Sequence, residues 1–462
     1  MNTDLTPKNR CWPRRILIIL AGLVVLLAVF YIEEDWRGWH AWKNCKHELE
    51  AKGVVLDWNA YIPPPVPDDQ NFFKAPKMAE WFVRNRQSST NELMERLRNA
   101  DTIATNLNET ALAKYLAWSD QFEPEFNLIR DALKRPYARM DGDYSKPYEQ
   151  PIPNFVAVRI VAQTLAQRAK CELLLGQPDK ALQSLTLLHD MCRLLEGAPT
   201  GKPMTLVAAM INVAVTGLYV NTVDGGLQSH AWQEPQLVAL QNQLAEINLN
   251  PLVLQALQGE PAGLCRTAKI AWIPKMFDMT VHTKWTEKVR MWRWWFWPRG
   301  WTYQNMVNVA VLGQKPLEGF DIAHDTVAPR KFEAASREVD KFFLHKSPYK
   351  LLAAIAIPNF TKAEQTTVYN QTLVNEAQIV CALERYQLAH GGYPETLDAI
   401  SPQFIEKLPH DLIGGEPLIY RRTADGKFLL YSVGWNEKDD DGLPGTLSDV
   451  KKGDWVWQYP LK

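Results

Sequence analysis

The sequence predicts a mainly α-helical chain with one N-terminal transmembrane helix, an α-helical exported domain and a C-terminal α+β domain. Three observations carry this. Ile16 to Ile32 is a run of 17 residues without a charge. Apolar residues recur at spacings of three and four through the middle of the chain. After about residue 350, one long helical pattern gives way to three short strand patterns, the signature of an α+β unit.

In chain order, residues 1–15 are a basic tail carrying Lys8, Arg10, Arg14 and Arg15. The apolar run 16–32 spans roughly 25 Å at about 1.5 Å per residue, near the lower limit for a bilayer core. Glu33, Glu34 and Asp35 follow it. Basic residues stay on the cytoplasmic side, which places the tail inside and the chain after residue 35 outside. Trp36, Trp39 and Trp42 fall where an interfacial aromatic belt belongs. A cleaved signal would have a shorter core, and small residues where Phe30-Tyr31-Ile32 stand. The expectation is therefore an uncleaved, single-pass anchor in a bacterial cytoplasmic membrane, with the bulk of the chain periplasmic or extracellular.

Residues 33–70 are expected to be a stalk and linker. A helical stretch ends at Gly53, and Pro63-Pro64-Pro65-Val66-Pro67 cannot continue a helix. Residues 71–345 read as the helical domain. Its clearest piece is a hairpin: Leu165, Ala169, Leu173 and Leu174 share a face, Gly176-Gln177-Pro178-Asp179 turns, and Ala181, Leu182, Leu185 and Leu188 follow. The hairpin resembles a tetratricopeptide unit at Gly176, Ala181 and Leu185. Glu172 stands where that unit has an aromatic, and no second copy occurs at its period, so no peptide-binding role follows. Pro203 to Val223 is uncharged but diluted by Thr205, Asn212, Thr216, Asn221 and Thr222, which favours a buried core helix over a second span.

Tryptophan is the compositional outlier, 18 residues in 462. Trp272, Trp285, Trp292, Trp294, Trp295, Trp297 and Trp301 are interleaved with Lys284, Lys288, Arg290, Arg293 and Arg299. Rings among cations suit a membrane interface, with Trp292, Trp294, Trp295 and Trp297 as candidates. The competing expectation is packing of the rings under arginines inside the fold. Such a cluster could also stack single-stranded nucleic acid, but a net charge of −1 and an exported location leave no nucleic-acid partner expected. Six cysteines include no C-x-x-C pair, so zinc and thioredoxin-type motifs are absent. A Cys171–Cys192 bridge and buried free thiols both remain open.

Residues 346–462 are expected to form a separable unit. A helix from about Thr361 to His390 carries Leu373, Ala377, Val380 and Leu383 as its apolar stripe and is stopped by Gly391-Gly392 and Pro394. Strands are expected at Leu418 to Arg422, Phe428 to Val433 and Trp455 to Gln458. Ala353-Ala354-Ile355-Ala356-Ile357-Pro358-Asn359-Phe360, Ala382-Leu383-Glu384-Arg385-Tyr386, Gly392-Tyr393-Pro394 and Leu430-Tyr431-Ser432-Val433-Gly434 resemble, in order, motifs of the major pseudopilin of type II secretion and its type IV pilin relatives. The resemblance covers roughly a quarter of the chain. A pilin processing site and its long apolar segment are missing here, so what the resemblance implies is a pilin-like head on a separately anchored protein.

Three consecutive carboxylates in the loop Asn436-Glu437-Lys438-Asp439-Asp440-Asp441-Gly442 repel one another unless solvated or bound to a cation. Hard oxygens in a flexible loop suit Ca²⁺, with Asp439, Asp440, Asp441 and Asp449 as candidate ligands. Ser448 stands where an EF-hand needs a bidentate glutamate, so this is no EF-hand; in the pseudopilin family the corresponding loop binds calcium, which is what the resemblance adds. H-E-x-x-H, G-x-S-x-G and G-x-G-x-x-G are absent. The phosphate-loop look-alike Gly197 to Pro203 is a residue short and lacks the Ser/Thr after Lys202. The adjacent pairs His189-Asp190 and His410-Asp411 supply no nucleophile. The function expected is non-enzymatic: a membrane-anchored envelope scaffold or docking component, linked to a secretion or pilus-like assembly through an unidentified envelope partner. The alternatives are an envelope hydrolase with a dispersed site and a lipid-binding protein acting through the tryptophans.

Overall fold

Helix α1 runs unbroken from Trp12 to Ala51, about 60 Å at about 1.5 Å per residue. Pro13 sits in its first turn, where a missing N–H costs nothing. Gly53 ends it in the left-handed region, with its N–H on Glu50 O and that of Val54 on Leu49 O, both at 3.0 Å. The apolar run and the expected stalk are thus one continuous helix. Its large apolar residues from Ile16 to Val29 are exposed, whereas from Glu34 onward the helix packs against α11 (Arg299–Leu312). The computed structural model describes residues 12–84, 91–98, 109–197, 205–271, 297–357, 360–445 and 451–458.

Among the described residues the fold is mainly helical with two small antiparallel sheets. Short helices α2 (Met78–Phe82), α3 (Glu92–Arg98), α4 (Glu109–Ser119) and α5 (Glu123–Leu133) precede the hairpin of α6 (Phe155–Leu174) and α7 (Pro178–Met191). Gly176 makes the turn at φ +69°. Glu172 replaces the expected aromatic with a polar clamp: it takes a 2.8 Å hydrogen bond from Ser184 Oγ and pairs with Arg168 at 3.1 Å. Arg168 also reaches Asp120 at 2.8 Å, tying the hairpin to the segment between α4 and α5; removing it would leave Glu172 buried without its counter-charge.

Helix α8 (Leu206–Gln228) is long and apolar enough to cross a membrane, but 56% of its most apolar window is buried. It packs between α6, α7, α10 (Leu249–Ala271) and α14 (Phe360–His390). Three of the polar residues that dilute it bond within the protein: Thr222 to Leu218 O, Thr216 to Asn212 Oδ1, and Asn212 to Cys192 O. It is the core helix expected. Helix α9 (Glu234–Glu246) also lies on α14. Strands β1 (Phe320–Asp321) and β2 (Thr326–Val327) pair, followed by α12 (Pro329–Phe343) and α13 (Leu351–Ala356).

Strands β3 (Ile419–Arg422), β4 (Phe428–Ser432) and β5 (Trp455–Gln458) form an antiparallel meander with Leu430 opposite both Tyr420 and Trp457. Two expectations for this region are corrected. Helix α14 is not amphipathic: from Val374 to Glu384 only Gln378 escapes full burial, because α8 and α9 cover the faces that the sheet leaves free. One core cluster runs from Phe72 through Leu240 and Val380 to Trp457. The α+β region therefore shares its core with the helical region rather than closing on itself. Among the described residues Cys45, Cys171, Cys192, Cys265 and Cys381 are free thiols.

Candidate functional site

The most constructed feature of the molecule is the junction where the exposed part of α1 meets the rest of the chain. Gly38 and Gly300 face each other with no room for a side chain. A Cβ on Gly300 would lie 1.9 Å from Glu34 O, and one on Gly38 would lie 2.3 Å from Gly300 O. This backbone approach brings Asp35 Oδ1 within 2.7 Å of the Gly300 N–H, one of the unpaired donors at the start of α11. Glu34 is buried, bonded by Arg37 and by Tyr349 Oη at 3.1 Å. Burial and the Glu34 carboxylate both push the Tyr349 phenol upward. Thus two acids that in sequence only mark a charged flank fasten α1 to the domain.

An aromatic row continues the junction toward the exposed apolar stretch. Trp301 sits edge-on to Phe30 at 6.4 Å, to Trp297 at 5.1 Å and to Tyr349 at 5.9 Å. Of the four interface candidates, Trp292, Trp294 and Trp295 lie outside the described residues. Trp297 is a correction: its ring is buried and its indole N–H donates to Thr302 Oγ1 at 3.2 Å. It braces the start of α11 instead of facing outward. The signal missed in the sequence was the Gly38/Gly300 pair, which no periodicity links across such a separation.

The acidic loop is held by protein donors. Asp439 Oδ1 accepts from Tyr431 Oη at 3.1 Å and from the Asp441 N–H at 2.8 Å. Asp440 accepts from Asn436 at 2.7 Å, and Asp441 pairs with Arg421 at 2.6 Å. The organising group is buried Asp454, which accepts the N–H of Asp440 at 3.1 Å and of Gly442 at 2.7 Å. Asp449 lies outside the described residues. Among those described, no three His, Cys, Asp or Glu side chains converge as metal ligands.

The two His-Asp pairs part company. Asp411 is buried at the end of β4, accepting from Ser432 Oγ at 2.8 Å and Val433 N at 3.1 Å, while His410 Nε2 lies 2.9 Å from Asp325 O. His189 and Asp190, 3.3 Å apart, line a cavity of about 460 Å³ between α7, α8, α9 and the start of α10. Its possible nucleophiles are not activated. Burial pushes the Cys192 thiol up to about 12, and the Thr216 hydroxyl is given to Asn212 Oδ1 at 3.2 Å. Comparison with protein-family models, with curated proteins and with solved structures finds no match.

Proposed function

We propose that this is a non-enzymatic, membrane-anchored envelope protein that holds a helical scaffold and a pilin-like head in a set position over the outer face of a bacterial cytoplasmic membrane. The observation that carries the proposal is α1 itself. Seventeen uncharged residues, nearly all of them exposed, continue without a break into a helix clamped by Gly38–Gly300 and by Glu34, Asp35 and Tyr349. A tether needs no such clamp; a part that presents a surface at a set height does. Trp301 touching Phe30 supports placing this end of the domain at headgroup depth. The long α14 followed by a three-stranded meander is compatible with the pseudopilin resemblance, and docking to a secretion or pilus-like assembly rests on that likeness alone. Ca²⁺ binding by the acidic loop belongs to the proposal on the same ground.

Photo-crosslinking in native membranes tests the docking role. A crosslinkable residue at exposed Ala424, in the β3–β4 turn, or at exposed Lys438, in the acidic loop, is expected to give a discrete adduct with an envelope protein. One at Lys134, just after α5 and far from both in the chain, is expected to give none. Equal labelling at all three positions, or none at any, would remove the docking role from the head.

A further inference from the structure

We propose that the outward face of α1 from Ile32 to Lys43 binds the phosphate head of an anionic phospholipid in the leaflet nearest the domain. The inference rests on the reading of α1 as a membrane anchor and adds to it a site and a lipid class. Ile32, Trp36, Trp39 and Lys43 are spaced four, three and four residues apart, which puts them on one stripe of the helix. All four are exposed, whereas Glu34, Gly38 and Leu49, on the opposite stripe, are buried toward the domain. Trp42 leaves this set, half-buried against the cluster that contains Met306.

The stripe is ordered. His40 Nδ1 donates to Trp36 O at 2.9 Å, and its half-buried ring lies 4.3 Å from that of Trp36 and 4.7 Å from that of Trp39. Lys43 Nζ stands 5.3 Å from the centre of the Trp39 ring. Side chains on a helix lean toward its N-terminus, which here is toward the bilayer, so the ammonium sits lower than its own Cα. The apolar run covers about 25 Å of a hydrocarbon core of about 30 Å. With Arg14 and Arg15 at the far end of the run, the core extends about three residues beyond Ile32, close to Trp36. Trp39 then stands about 5 Å higher, among the headgroups, and the Lys43 ammonium shares that depth.

Charge at this height decides the class of lipid. The three acids that follow the run are matched within the protein: Glu33 lies 3.9 Å from Arg37 Nε, Glu34 is bonded by Arg37 and Tyr349, and Asp35 accepts from the Gly300 N–H. Arg37 is used up in the same contacts. Lys43 and Arg299 are exposed, and among the described residues no carboxylate pairs with either. A phosphodiester offers oxygen acceptors and a negative charge, the complement of an ammonium flanked by indole N–H donors. A choline headgroup would bring a second cation against Lys43, which a glycerol headgroup does not. Continuity of the stripe with the exposed apolar run favours a lipid over an acidic protein as its occupant.

The test uses the full chain in proteoliposomes carrying a trace of photoactivatable phosphatidylglycerol or phosphatidylcholine, each with a diazirine at the top of one acyl chain. After irradiation, lipid adducts are assigned to residues by peptide mass. Phosphatidylglycerol is expected to label residues 36–43 about fivefold more than phosphatidylcholine, the preference that one lysine near an anionic surface confers. Lys43→Gln is expected to lower that ratio at least about twofold, and Lys43→Arg to keep it. The side chain is exposed, and unchanged melting of both variants would show that the fold is kept. Equal labelling by the two lipids would overturn the inference, as would adducts confined to residues 16–32 or a ratio that Lys43→Gln leaves untouched. Release of the chain from the vesicles by alkaline carbonate would instead remove the anchor reading, and the inference with it.

Discussion

Glu364 lies on the buried side of α14 with one carboxylate oxygen that no partner reaches, and burial raises its pKa to about 9. In the unfolded chain a glutamate ionises at about 4.3. Between these values the folded state binds a proton that the unfolded state does not, so stability falls as pH rises through the interval. The contribution is full below the unfolded pKa and is lost on the way to about pH 9, amounting to on the order of 3 kcal/mol by neutral pH. Glu364→Gln removes the titration and keeps the shape. The variant is expected to melt higher than the parent at about pH 8 and alike at about pH 4.5; parallel melting curves at both would refute the buried-acid account. Nothing in the sequence pointed to this residue, because Lys362-Ala363-Glu364-Gln365 reads as an ordinary solvated turn of helix. Asp454 differs: the sequence offers it as a less certain calcium ligand beside the acidic loop, whereas its role as acceptor there depends on backbone N–H groups that the fold alone brings to it.

At the scale of elements, ends were more legible than partners. The three strands fall within a residue of their expected bounds, and α14 stops at Gly391, whose φ of +79° and N–H bond to Gln387 O fit a glycine C-cap. These signals are local. What α14 packs against was not, and the expected stripe of Leu373, Ala377, Val380 and Leu383 describes one face of a helix buried on several. The packing of α1 beyond Glu34 likewise depends on α11, which is distant in sequence. The Gly38–Gly300 crossing gives a direct check. Gly300→Leu must push α1 from α11 or distort Glu34's turn, a cost of about 1–3 kcal/mol or more. A drop of several degrees in melting temperature is expected, and a cysteine pair placed at positions 34 and 349 should crosslink less efficiently in the Gly300→Leu background. An unaltered melting curve would mean that the crossing is loose.

Across the whole molecule, one apolar cluster joins the helical hairpin, α9, α14 and the sheet, while a second cluster joins α1, α10, α11 and α13. Helix α10 packs against both α11 and α14 and so lies between the two clusters. Composition and the apolar run pointed to a helical protein with an N-terminal apolar helix. They could not indicate that this helix packs against α11 beyond Glu34. This packing sets the central claim of the proposed function, that the segment around Tyr349 sits at the membrane surface and not merely near it. Its most direct test is depth-dependent quenching in proteoliposomes of the full chain, with Cys11 and Cys45 replaced by serine. A fluorophore on Lys346→Cys, in the exposed loop that leads to Tyr349, is compared with one on Lys52→Cys, just past the end of α1 and about 27 Å along its axis from Glu34. Lipids spin-labelled at the headgroup should quench the probe at 346 strongly and the probe at 52 weakly. Quenching at 346 no stronger than at 52 would contradict the account.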